Sequence, residues 1–253
     1  MKTLLLTTLT LLSTCLGAFA QAQTIYFERK SAENETQVSL FIDAEFVSGT
    51  EYSGVPETDD VASGEITGKV RKDGLLHVTF NYMIEGSKQS EEQLLKLDGD
   101  KLFIGEGELE ERGPGQMVLK DRETVKFTKA LKKLPLSEPA LDAPEAKAVT
   151  KALQGPVAKL TGVPVTFDGL VRISGEWAVF MGSVIAAEGK KPKDQKMADK
   201  LDQRAFQAFF KKDDKGGWKV LRSTFAGADG YFEFEGEYEN APWQLTDGLN
   251  EEH

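Results

Sequence analysis

From Thr24 to about Thr128 the chain alternates apolar and polar residues with period two, and Gly, Asp and Asn punctuate it at short intervals. That pattern sends successive side chains to opposite faces of an extended backbone, so it constrains this stretch to antiparallel sheet. Ile25 and Phe27 open it, Glu33-Asn34-Glu35 marks a turn, and Val38, Leu40, Ile42, Ala44 and Phe46 read as one long strand. Ser48 to Ser63, rich in Gly, Ser, Asp and Pro, reads as an irregular loop before a strand holding Ile66 and Val70. Lys72-Asp73-Gly74 is a hairpin signal, followed by strict alternation of Leu76, Val78, Phe80, Tyr82 and Ile84. Leu95-Lys96-Leu97 and Leu102-Phe103-Ile104 flank a second hairpin at Asp98-Gly99-Asp100; Met117–Leu119 and Val125–Phe127 complete the series. Seven or eight short strands with no helical period between them predict an all-β antiparallel meander over residues 24–131, a barrel or a sandwich.

The period then changes. Residues 132–141 hold Pro135 and Pro139 without any regular pattern and read as a linker. Asp142, Pro144 and Glu145 form a helix start, with Asp142 as the expected cap. Ala146, Val149, Leu153, Val157 and Leu160 line one face of that helix, Gly155-Pro156 predicts a kink or two short helices, and Gly162 a stop. Val165–Ile173, Glu176–Ile185, Arg204–Lys212 and Trp218–Phe225 are four strand candidates, separated by Ser174-Gly175, a charged loop over 188–203, and Asp213 to Gly217. The second unit, 142–245, is thus a helix packed on a four-stranded antiparallel sheet, which makes the whole chain α+β. Trp243 is expected to fold the end of this unit back, leaving 246–253 as a mobile tail.

Met1-Lys2-Thr3, an apolar stretch from Leu4 to Leu16 and the small residues of Ala18-Phe19-Ala20 form a secretory signal, cleaved after Ala20 or after Ala22. The stretch is shorter than the roughly 20 residues a membrane span needs. Leu12-Ser13-Thr14-Cys15 resembles a lipoprotein box, but Thr14 stands where Gly or Ala is usual, so lipidation of Cys15 is the lesser reading. The expected location is secreted or periplasmic. Cys15 is the single cysteine, so the mature chain has no thiol for a disulfide, for catalysis or for a metal.

Charge and residue type narrow the chemistry. With 41 acidic against 31 basic residues the net charge is -10, which disfavours nucleic acid and anionic membrane surfaces as partners. Of the two histidines, His253 is the last residue, and His77 lies out of phase with Leu76, Val78 and Phe80, on the outer face of its strand. No Ser-His-Asp or Cys-His arrangement is available, and the Cys/His pairs of a zinc site are missing. Asp98-Gly99-Asp100 starts like a calcium loop, but Leu102 and Phe103 stand at the next ligand and glycine positions. No cofactor or metal is expected. Glu106, Glu108, Glu110 and Glu111 read as a solvated face.

Val165-Thr166-Phe167, Ser174-Gly175-Glu176-Trp177-Ala178 and Gly216-Gly217-Trp218-Lys219-Val220 follow the helix in an order that resembles a poorly characterised domain of bacterial secreted and periplasmic proteins. In outline that domain is cystatin-like or nuclear-transport-factor-like. The resemblance covers about residues 142–245 and implies fold and compartment. Relatives often place an aromatic directly after the final Asp, whereas Gly230 separates Asp229 from Tyr231 here. The N-terminal half is similar only in general outline to small secreted β-barrels.

Trp177, Phe206, Phe210 and Trp218 fall on adjacent strands of the second unit and are the candidate ligand-binding residues, lining a pocket between helix and sheet. The plainer reading, that they fill the core, is favoured. The expected function is non-enzymatic: binding a small molecule, a peptide or an envelope component, or serving as an accessory protein outside the cytoplasm. The alternatives are a carboxylate- or tyrosine-dependent hydrolase or isomerase in the C-terminal pocket, and a structural partner of another envelope protein.

Overall fold

The computed structural model describes residues 23–55, 61–84, 86–192, 194–203, 205–225 and 240–248. The signal segment, Cys15, Asp229, Gly230, Tyr231 and His253 lie outside them.

The N-terminal half is a closed barrel. Its strands are β1 (Ile25–Lys30), β2 (Glu35–Asp43), β3 (Phe46–Gly54), β4 (Val61–Val70), β5 (Leu76–Ile84), β6 (Ser87–Asp98), β7 (Lys101–Ile104) and β10 (Ala130–Leu134). They pair antiparallel in the order 1-2-3-4-5-6-7-10, and β10 pairs with β1, so no barrel edge is left open. The alternation read from the sequence is the inside–outside alternation of this wall: Phe27, Val38, Leu40, Ile66, Leu76, Val78, Leu95, Leu102 and Leu131 fill the interior. Closure is helped where an inward side chain is missing. A Cβ on Gly64 would sit 1.9 Å from the Asn81 carbonyl oxygen, and one on Gly68 2.2 Å from that of His77. Only glycine lets β4 coil this tightly against β5.

Several expectations are corrected. The long strand through Phe46 is two strands, because Ala44-Glu45 makes a two-residue hairpin with Ala44 at φ 52°. The expected loop over Ser48–Ser63 is largely the adjoining ends of β3 and β4. Val125–Phe127 contributes one bridge, Glu106 to Lys126, and β10 closes the barrel, running through the first three residues of the expected linker. Outside the wall, β8 (Leu109–Gly113) and β9 (Gln116–Leu119) form a hairpin laid on β6 through a short parallel pairing at Ser90 and Glu91.

In the second half, β11 (Val165–Ser174), β12 (Trp177–Ala186), β13 (Phe206–Lys212) and β14 (Trp218–Phe225) make an antiparallel sheet in chain order. Helix α1 (Pro144–Thr161) covers one face. Ala146, Val149, Leu153 and Val157 point into that core as expected. Leu160, expected with them, is 51% exposed, and Thr161 is buried instead. Pro156 lies inside one continuous helix, so of the expected kink or two short helices the second does not hold. Ala143 occupies the cap in place of Asp142, and Gly162 ends the helix at φ 72°. The charged loop over 188–203 contains a second helix, α2 (Gln195–Gln203). The chain as a whole is mostly β, with an eight-stranded antiparallel barrel and a four-stranded antiparallel sheet carrying one long helix.

Candidate functional site

The four candidate aromatics do not line one pocket. Phe206 and Phe210 are fully buried under α1. Trp218, on the outer strand, is half-buried against the same core, with the Lys212 ammonium 4.9 Å from its ring. Trp177 points the other way: odd positions of β12 leave the α1 face, and Trp177 packs with Val179, Phe209 and Leu245 on the far side. Both faces of β13 are buried, because Phe206, Ala208 and Phe210 meet α1 while Phe209 meets the opposite cluster.

What covers that opposite face is the connection between the two units and the segment 240–248. Ser137 exchanges both backbone hydrogen bonds with Ile173 at 2.9 Å, adding a short edge to β11, and Leu136 packs beneath. Gln244 donates through Nε2 to Ser174 Oγ at 3.0 Å and to the Pro135 carbonyl at 3.3 Å. Arg172 donates to Glu138 at 2.7 Å and to the Asp247 carbonyl at 2.6 Å. The same segment reaches the barrel: Trp243 meets Tyr26 of β1 edge-to-face at 5.2 Å. Burial, and then the neighbouring Asp247 carboxylate that accepts from the phenol, push the Tyr26 hydroxyl up to about 12. Trp243 thus does fold back, onto the outside of the barrel.

This junction leaves a cleft of about 720 Å³. Its barrel side is the outer face of β1 and β2, where Lys30 bridges Glu28 at 3.0 Å and Glu35 at 2.9 Å, and Gln37 donates to Glu35 at 2.5 Å. Burial works against the charge on Lys30, but the two carboxylates more than offset it and hold its pKa above the ordinary value. The sheet side is the turn Ser174 to Trp177, and residues 240–244 form the third wall. Glu176 has no ion-pair partner among the described residues. The charges facing the cleft are therefore three carboxylates against one ammonium, with indoles and amides between them. Such a surface can take a cation and hydrogen-bond a polar ligand beside the half-buried Trp243 indole, while the Trp177 ring is already met by the Lys211 ammonium at 4.6 Å.

His77 is on the outer face of β5 as read, but it is not free: its Nε2 lies 2.5 Å from Glu92 Oε1. The sequence reading singled out neither Glu92, which looks like any polar strand position, nor Trp243 as a cleft wall. Only the long-range pairing of β6 with β9, and of segment 240–248 with β1, gives them roles. Glu106, Glu108 and Glu110 are exposed as expected and paired with Lys129, Lys120 and Arg112. No described helix is long and apolar enough to cross a membrane, and no group of three or more metal-ligating side chains occurs among the described residues. Comparison with family models, with curated proteins and with solved structures finds no match to this chain.

Proposed function

We propose that the chain is an exported binding protein whose ligand seat is the cleft between barrel and sheet, and that the ligand is a small molecule or peptide segment with a cationic group. The observation that carries this reading is the surplus of carboxylates in that cleft, Glu28, Glu35 and Glu176 against Lys30, beside Trp177 and Trp243. A volume of about 720 Å³ at the meeting of two units suits a bound small ligand, for which roughly 300–1,000 Å³ is typical. The apolar leader is the reason for placing this activity outside the cytoplasm, and the resemblance of residues 142–245 to bacterial secreted domains agrees with it.

Tryptophan fluorescence tests the proposal, because Trp177 and Trp243 border the cleft. Titration with spermidine and with a short lysine- and arginine-containing peptide should give a saturable change. Glu176→Gln with Glu28→Gln should weaken it about tenfold, the effect of removing rim charges that attract a cation. The absence of any saturable change, or an unaltered affinity in the double variant, would overturn the assignment.

A further inference from the structure

A second cleft, sharing no residue with the first, lies on the outer barrel wall where the β8–β9 hairpin folds over β6. It encloses about 490 Å³ and is lined by Arg71, His77, Arg112, Leu119, Lys120, Asp121, Arg122 and Glu123. Four of the chain's 31 Lys and Arg residues and one of its two histidines thus converge on one place in a molecule of net charge -10. They come from separate parts of the fold: Arg71 follows β4, His77 is on β5, Arg112 is on β8, and Lys120 and Arg122 follow β9.

Beneath them is Glu92, 8% exposed, on the outer face of β6. Its Oε1 receives Arg122 Nε at 2.6 Å and His77 Nε2 at 2.5 Å, and its Oε2 receives the Leu119 backbone N–H at 3.0 Å. Burial opposes its charge, but these donors, Arg122 foremost, more than offset that and keep the carboxyl below its ordinary range. A carboxylate so enclosed fixes the guanidinium it holds. Arg122 is engaged only through Nε, and its two η nitrogens make no hydrogen bond among the described residues.

The remaining cations are differently placed. Arg71 pairs with Asp73 at 2.9 Å, Lys120 with Glu108 at 2.8 Å and Arg112 with Glu110 at 3.7 Å, all at the surface, with Arg71 alone part-buried. Exposed pairs of this kind contribute about 0–1 kcal/mol, so each cation can turn to a better anion at small cost. Of the two acids in the lining, Asp121 accepts the Glu123 N–H at 2.9 Å and Glu123 is exposed, so two carboxylates stand against four cations at the rim. One pre-oriented guanidinium with three exchangeable cations around it matches an oxyanion, whose geometry the arginine fork fits in two-point contact. Leu119 is the only apolar residue in the lining, so no flat ring or acyl chain is provided for.

We infer that this cleft is a binding site for a multiply charged phosphate-class oxyanion, anchored by Arg122 on its buried Glu92 support and enclosed by Arg71, Arg112 and Lys120. The inference is independent of the ligand proposed for the junction cleft.

Calorimetric titration of the mature chain with pyrophosphate, inorganic phosphate and sulfate at low ionic strength tests it. Pyrophosphate should bind in saturable fashion, tighter than either single-centre anion. Arg71→Gln with Arg112→Gln, neither of them in a hydrophobic core, should weaken it at least about tenfold. Lys132→Gln with Lys133→Gln, which removes the same charge from exposed positions of β10, should leave affinity within about twofold. Arg122→Gln should abolish binding, with circular dichroism confirming that the barrel is intact. Failure of pyrophosphate to saturate, or an equal loss in the Lys132/Lys133 variant, would overturn the site; the second result would mean general charge attraction only.

Discussion

At the scale of single residues, two side chains hold positions their chemistry does not favour. Ala44 is the only non-glycine at positive φ among the described residues, 52°, in the hairpin joining β2 to β3. A left-handed alanine costs roughly 1–2 kcal/mol, and glycine removes that strain at some cost in unfolded-state entropy. Ala44→Gly should therefore raise stability by up to about 1 kcal/mol in denaturant unfolding. Glu51 is the second. It points into the barrel from β3, is 5% exposed, and one carboxyl oxygen has no hydrogen-bond partner. Burial pushes its pKa up to about 7; a hydrogen bond from Gln93 acts against that, and the neighbouring Glu91, itself raised by burial, adds to it. The folded state therefore binds this proton more tightly than the unfolded chain does. The contribution is complete below the ordinary carboxylate range and disappears as pH rises through about 7. Glu51→Gln should match the parent at about pH 3.5, below the ordinary carboxylate value, and exceed it at pH 8 by at most about 3 kcal/mol. Thermal melts at the two pH values decide it; parallel pH slopes would show that Glu51 ionises freely in the barrel.

At the scale of elements, β13 separates two cores. Phe210→Ala opens a cavity under α1 and should cost about 3–5 kcal/mol. Trp218→Ala, at a half-buried edge position with Lys212 over its ring, should cost about 1–2 kcal/mol. Urea unfolding of the two variants measures the difference; equal losses would place Trp218 in the core. The strands were legible wherever alternation met a turn dipeptide, as at Lys72-Asp73-Gly74 and Asp98-Gly99-Asp100. The Ala44-Glu45 turn was not, since neither residue favours positive φ and the alternation runs straight through it. The 48–63 stretch misled for the opposite reason: its glycines look like loop formers, yet Gly49 is what lets β3 approach the Ser39 carbonyl of β2 closely. The candidate aromatics were read chiefly as core, which is where they pack, but they divide between the cores on the two sides of the sheet. Strand membership was readable, whereas which face each ring takes depends on the register of β12 against β13.

At the scale of the whole molecule, the barrel and the sheet are joined by residues that belong to neither. Trp243→Ala removes the edge contact with Tyr26 and should cost about 1–3 kcal/mol. It should also expose the connection around Ser137 to protease and split one thermal transition into two. A single unchanged transition would mean that the Ser137–Ile173 bridge and the Arg172 contacts suffice to couple the units. The same acid-rich junction predicts salt sensitivity: cation binding there should weaken with ionic strength, since the carboxylates are near the surface.

The edge-to-face contact between Tyr26 and Trp243 also sets an order of events. The barrel can close as soon as β10 is present, because all its strands lie upstream of residue 135. The cleft beside it acquires its third wall only when residues 240–248 arrive. The ligand seat proposed for that cleft is therefore complete only once both halves have folded, so a binding assay on the chain cut short before residue 240 should read no saturable signal.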